Sequence, residues 1–320
     1  MKICVTGSTG FIGNKLCIEL LKHGHVLNLP VRKFQASPSQ KYKNLIRYNI
    51  ENINSKTDWS KTLENTKCVI HCAARSHIFN DKKKDSLKIY REINVEGTRN
   101  LANQAVKAGV KRFIFLSSIK VNGEETKKNL FFKHDDCPKP EDPYGISKYE
   151  AENCLIEISK KGGLELVIIR PPLVYGEGVK GNFLTLINLV SKNIPLPLAS
   201  VKNLRSFIGL DNLIDVMIKC IDKPEALGKT FVISDGQDIS TPDLIKKLAN
   251  HMGKKHFLIP FPIFLLKFFG TICGKSNRID RLTNSLQIDN TYAEKVLDWK
   301  PRVNLEEGLN KTIKWFLKNT

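Results

Sequence analysis

The chain runs to 320 residues, 41% of them hydrophobic, which is enough for a sizeable core and rules against a disordered chain. With 51 Lys and Arg against 32 Asp and Glu the formal net charge is +19, a balance that suits nucleic acid, an anionic membrane or small anionic substrates. Eight cysteines are scattered without CxxC pairs, which argues against a disulfide framework and for reduced thiols in a cytoplasmic protein.

The first strand candidate, KICVTG, begins at Lys2, leaving no room for a cleavable leader, and runs through a glycine turn into an amphipathic helix from near Phe11. HVLNLPV, LIRYNI, CVIHCAA, KRFIFLSS and LELVIIRP follow as strand candidates rich in Val and Ile, mostly separated by amphipathic segments such as NVEGTRNLANQAVKAG. This alternation predicts a parallel sheet covered on both faces, an α/β, Rossmann-like doubly wound domain over residues 1–175. After Pro171 the rhythm changes: prolines fall at 195 and 197, and RSFIGLDNLIDVMIKCI leads to a helical tail ending LEEGLNKTIKWFLK. Residues 176–320 are expected to form a smaller, mostly helical substrate lobe, with some segments returning to the first domain.

The longest apolar stretch, LIPFPIFLLKFFGTICG, is interrupted by two prolines, a lysine and a glycine and falls short of the roughly 20 residues that span a bilayer. It is expected to be a buried or groove-lining helix, with attachment to a membrane surface as the alternative. The basic runs NDKKKD and ETKKN are flanked by acids or amides and read as solvated faces. Neither an aromatic RNA-binding signature nor Cys/His finger spacing is present, so no nucleic-acid partner is expected. His71, Cys72 and His77 lie close in VIHCAARSH, but a strand end splays them to opposite faces, and no metal is expected. Asn94 is read as shaping its helix and a backbone contact.

A strand that stops in a glycine turn and feeds a helix gathers free backbone N–H groups and the positive end of the helix dipole at one point, where a pyrophosphate fits. Gly7 suits the tight turn, Gly10 a close backbone approach, and Gly13 a helix packed near the sheet, with Phe11 and Ile12 opening that helix. The expected ligand is NAD or NADP. At the end of the second strand an acid would bind the adenosine ribose, but LNLPVRK offers Arg32 and Lys33 instead, which favours NADP.

In EDPYGISKYEAENCLIEISKK, Asp142 reads as a helix cap and Pro143 as the first helical residue, so Tyr144 and Lys148 stand one turn apart on one face. A lysine cation beside a phenol is expected to lower its pKa from about 10 toward working pH, making Tyr144 an acid or base. Ser118, at the C-terminal edge of RFIFLSS, is the expected partner, holding the reacting oxygen.

These glycines, the Ser pair at 117 and 118 and YGISK at 144–148, taken with VIHCAARSH, NVEGTRNLA, RFIFLSSIKVNG, IIRPPLVYG, RSFIGLDNLIDV and LDWKP, resemble the extended short-chain dehydrogenase/reductase family. The likeness is to its nucleotide-sugar epimerases, dehydratases and reductases and runs through nearly the whole chain. It implies an NAD(P)-dependent enzyme in which Ser118, Tyr144 and Lys148 are catalytic, Lys148 also bonds the nicotinamide ribose, and Ala73 joins the cofactor contacts. It further implies a UDP-sugar substrate held by Asn182 and Arg205, with Arg281 as a further phosphate candidate, and a homodimer.

Dehydratase members carry an Asp-Glu pair where this chain has Ile119 and Lys120, which argues against 4,6-dehydration. Leu173 and Asn49 also depart from the family's usual Asn and Asp. Two enzymatic readings stay open. The first is a UDP-sugar 4-epimerase acting at C4 of a UDP-hexose or UDP-N-acetylhexosamine, supplying precursors for cell-surface polysaccharide. The second is an NADPH-dependent UDP-4-keto-6-deoxyhexose 4-reductase. A non-catalytic NADP-binding scaffold or nucleic-acid-binding protein is the alternative from another class.

Overall fold

The computed structural model describes residues 1–32, 44–76 and 86–320; Lys33 and His77, singled out above, lie outside them. Among the described residues seven strands form one parallel sheet: β1 (Lys2–Thr6), β2 (Val26–Val31), β3 (Leu45–Asn49), β4 (Cys68–His71), β5 (Arg112–Leu116), β6 (Glu165–Arg170) and β9 (Lys229–Val232). Their order is β3-β2-β1-β4-β5-β6-β9, with Ile3 facing Leu27 on one side and Cys68 on the other. Two short strands, β7 (Leu173–Tyr175) and β8 (Phe207–Gly209), pair separately and in parallel. The doubly wound sheet expected from the sequence is therefore present.

The helices are α1 (Phe11–Lys22), α2 (Ser60–Leu63), α3 (Ser86–Tyr90), α4 (Gly97–Lys107), α5 (Pro143–Gly162), α6 (Gly181–Ser191) and α7 (Leu210–Asp222). There follow α8 (Thr241–His251), α9 (Ile263–Ile272), α10 (Ser276–Thr283), α11 (Thr291–Leu297) and α12 (Leu305–Lys318). A π-helical stretch, Arg91–Glu96, joins α3 to α4.

Alternation along the strands divides the core between the two faces of the sheet. Ile3, Val5, Ile114 and Leu116 face α1, α7 and α11, whereas Cys4, Phe113 and Phe115 face α4 and α5. A separate core joins α6, α8 and α12. β9, α7 and α11 come late in the chain yet pack on the sheet domain. The Tyr175 hydroxyl donates to Asp235 at 2.6 Å, and Asp235 also accepts from Gly209 N and Asn212, pinning β7, β8 and α7 together.

One expectation is corrected. The apolar stretch around residue 265 forms α9, but only Gly270 within it is buried, and Phe264, Phe268, Phe269 and Ile272 face outward. An all-apolar run gives a high hydrophobicity without saying which face the fold covers.

Candidate active site

β1 ends in Thr6 and the chain turns at Gly7, whose φ of +72° suits glycine. A Cβ there would meet Ala73 N at 2.8 Å, and one on Gly13 would lie 2.2 Å from Gly7 O, so α1 can press onto the turn only through glycine. Gly10 N donates to Gly7 O at 2.9 Å and Gly10 caps α1 without a side-chain bond or an acid in the first turn. Phe11 and Ile12 are partly buried against the core, so what they offer a phosphate is main-chain N–H. The Ser8 hydroxyl, buried in this turn, has no hydrogen-bond partner. An uncapped helix start, a turn closed to side chains and an orphan hydroxyl together fit a dinucleotide pyrophosphate, and they stand at the ends of the neighbouring strands β1 and β4, from which the chain continues to opposite sides of the sheet. Arg32 is exposed just past β2.

The neighbouring His71 is structural. Its Nδ1 is 2.6 Å from the Thr6 hydroxyl and its Nε2 2.9 Å from that of Thr98, and Ala73 N donates to Thr6 Oγ1 at 3.2 Å. Burial, then the Lys148 charge, lowers the imidazole to about 3, so it stays neutral. This ladder fixes the ends of β1 and β4 beside the glycine turn.

The Asp142 side chain accepts from Gly145 N at 2.7 Å with Pro143 behind it, which starts α5 and sets Tyr144 in its first turn. Burial would raise the Asp142 carboxyl, but the Lys120 ammonium paired with it, the Gly145 N–H and the Arg281 charge hold it below its usual range. Lys120 also bonds Glu124 at 2.6 Å. Deeper in α5, Glu152 takes a bidentate pair from Arg170 at 3.0 and 2.6 Å, and Arg170 reaches Asn122 at 2.9 Å. That clamp holds α5 against β6 and the 3-10 turn Ile119–Val121 that follows Ser118.

Ser118 is half-buried and accepts from Lys120 N at 3.3 Å, while Ser117 beside it is buried with an unpartnered hydroxyl. Asn94, in the π-helical stretch, accepts from Arg75 N at 2.8 Å and donates to Arg75 O and to Ser147 Oγ. Ser147 in turn donates to Tyr144 O at 2.8 Å, and the Tyr90 ring meets that of Tyr144 edge-on at 6.2 Å.

The expected acidification of Tyr144 is corrected. Burial, then the Asp142 carboxylate and Tyr90, push the phenol well above its ordinary value. Lys148 is 1% exposed, and its ammonium lies 3.8 Å from the centroid of the Phe115 ring. Burial lowers it to about 7 against the pull of Glu152. Helical spacing brings the two residues to one face, but the depth of the site makes charge costly for both.

Arg205 is half-buried. It lies between Ile239 and Leu286 in two isolated bridges, donates from Nη1 to Asn284 O at 2.9 Å, and is lowered to about 10 by burial and then by Arg281. Arg281 stands 3.7 Å from Asp142. Two guanidiniums are thus brought beside the start of α5, an arrangement that suits an anion. Asn182, second residue of α6, is half-buried. The sequence reading missed the Lys120–Asp142–Arg281 group and the two orphan hydroxyls; Asp142 carried a signal only as a cap.

A parallel sheet with a glycine turn at its switch point, beside a half-buried Tyr and a buried Lys on one helix, defines a dinucleotide-dependent α/β enzyme. The model of the NAD dependent epimerase/dehydratase family matches residues 3–234, and the chain belongs to that family. The chain is 46% identical to a UDP-glucose 4-epimerase of Vibrio cholerae over 318 residues, 99% of this chain and 95% of that protein. A crystal structure of UDP-glucuronic acid 4-epimerase from Bacillus cereus in complex with NAD matches at a TM-score of 0.81 and 23% identity, covering 100% of this chain and 99% of that one. UDP-glucose 4-epimerase of Thermotoga maritima with UDP-glucose matches at 0.79 and 24%, again over 100% and 99%. These two carry the fold. The expected family and NAD(P)-dependent enzyme class are met.

Proposed function

We propose that the protein is a UDP-hexose 4-epimerase that removes and returns hydrogen at C4, with Ser118, Tyr144 and Lys148 as its catalytic residues. The observation that carries this reading is the placing of Tyr144 in the first turn of α5, with Lys148 one turn on above Phe115 and Ser118 just past β5 as the cap of the 3-10 turn. The relative at 46% identity supports the choice of UDP-hexose.

NAD held at Gly7, Gly10 and Gly13 would supply the hydride chemistry at C4. The Ser118 hydroxyl orients the C4 oxygen, and the Tyr144 hydroxyl relays the proton, passing its own to the neutral amine of Lys148 as it takes that of the C4 oxygen and reversing both transfers when hydrogen returns. Lys148, near 7, is close to the pH at which it can hold or release a proton without large cost. Arg205 and Arg281 pair with the diphosphate, and Asn182 lies on the same lobe as a further substrate contact. Lys120, where dehydratases carry an acid, is tied up by Asp142 and Glu124, which leaves oxidation and reduction at one carbon.

The test is incubation with UDP-glucose or UDP-galactose without added cofactor, followed by separation of the two sugars. Interconversion is expected; its absence would remove the epimerase.

One observation favours the second reading, an NADPH-dependent 4-keto reductase: Arg32 stands exposed past β2, where a 2′-phosphate would need a cation. Consumption of NADPH only with a 4-keto sugar would select it. We further propose a division of the chain near residue 175, a cytoplasmic location and a homodimer, the last checked by its mass in solution. Among the described residues no helix is long and apolar enough to cross a membrane, and all eight cysteines are free.

A further inference from the structure

We propose that α9 and the segment leading into it form a docking surface for an anionic lipid bilayer. In a surface helix one stripe is apolar and the rest polar. α9, IFLLKFFGTI, is apolar nearly all round. Its inner side is spoken for: Ile263 and Leu266 pack on the core that joins α6, α8 and α12, and Gly270 is pressed so close to α10 that a Cβ there would meet Ile279 at 2.5 Å. Its outer side is not. Phe264, Phe268 and Ile272, four residues apart and so on one face, are 71%, 58% and 66% exposed. Phe269 beside them, and Phe257 and Ile259 just before the helix, are also exposed. Scattered exposed apolar residues are ordinary, whereas an aromatic cluster on one helix marks a contact surface.

Charge selects the occupant. Residues 254–284 carry six Lys and Arg and a single acid, Asp280. Lys255 and His256 precede the aromatic segment, Lys275 and Arg278 follow it, and all four are exposed. Lys267, within the helix, pairs with Asp280 at 3.4 Å. An apolar aromatic face rimmed by cations matches a bilayer's acyl boundary beneath anionic headgroups, and ten residues are enough to lie in that interface but not to cross it. The surface borders the candidate site, since Lys267 also bonds Asn284 Oδ1 at 2.9 Å and the Asn284 carbonyl accepts from Arg205.

The test is flotation of the full chain with vesicles rich in phosphatidylglycerol and, separately, with pure phosphatidylcholine. Wild type is expected to float with the anionic vesicles and release them as salt rises, and the double variant Phe264→Ser, Phe268→Ser to lose at least about tenfold in bound fraction. If that variant melts below wild type, Lys255→Glu with Lys275→Glu carries the same test through the charge. Wild type remaining unbound to both vesicles, or aromatic and charge variants floating as it does, would overturn the proposal. So would patch-dependent self-association without flotation, which would make a second copy the occupant.

Discussion

The ammonium of Lys148 sits over the face of the Phe115 ring, 3.8 Å from its centroid, with the lysine almost wholly buried. Burial drops it to about 7 from an ordinary value of 10.5. Below about 7 both folded and unfolded chains hold this proton. Between about 7 and 10.5 the unfolded chain keeps it and the folded chain has released it, so this group makes stability rise with pH across that window. Lys148→Met should therefore lack that rise. Urea unfolding at pH 7 and pH 9 checks it: the stability difference, wild type minus variant, should grow with pH, and a constant difference would count against the buried lysine.

Tyr144 contributes a hydroxyl whose proton is held tightly by burial, Asp142 and Tyr90. Tyr144→Phe should lower kcat by about 10²- to 10⁴-fold while leaving KM for the UDP-sugar and the melting temperature close to wild type. Steady-state kinetics with a melting curve read this directly. Full activity in the Phe variant would revive a non-catalytic role for the pair.

Lys120 neutralises the carboxylate that starts α5. Lys120→Met leaves Asp142 with Arg281 at 3.7 Å as its remaining cation and should destabilise the fold by about 1–3 kcal/mol. Because the site helix begins at that cap, kcat should fall as well. Chemical denaturation and kinetics on the same variant measure both.

Gly13 leaves no room for a side chain, since its Cβ would lie 2.2 Å from a backbone oxygen that cannot swing away. Gly13→Ala should destabilise by about 1–3 kcal/mol and weaken nucleotide retention, read as the NAD(H) released per chain on denaturation. Nucleotide content equal to wild type would sever the glycine turn from the cofactor.

Much of this was legible in residue pattern. Val- and Ile-rich runs located the first six strands of the large sheet, and Asp142–Pro143 located the start of α5, because both signals are local. β9 escaped because KTFV is four residues long and reaches the sheet only after β7, α6, β8 and α7 have intervened. The i,i+4 spacing put Tyr144 and Lys148 on one face but carried no measure of depth, and depth decides the sign of both shifts. Lys120, Asp142 and Arg281 are distant in sequence and meet only through the fold. The face that α9 leaves open was hidden for the same reason.

The most direct measurement follows UDP-galactose carrying deuterium at C4 through the reaction in ordinary water. Removal and return of hydrogen at one carbon predicts UDP-glucose that keeps its deuterium at C4, formed without added cofactor. Deuterium washed out into solvent, or no UDP-glucose at all, would contradict the account.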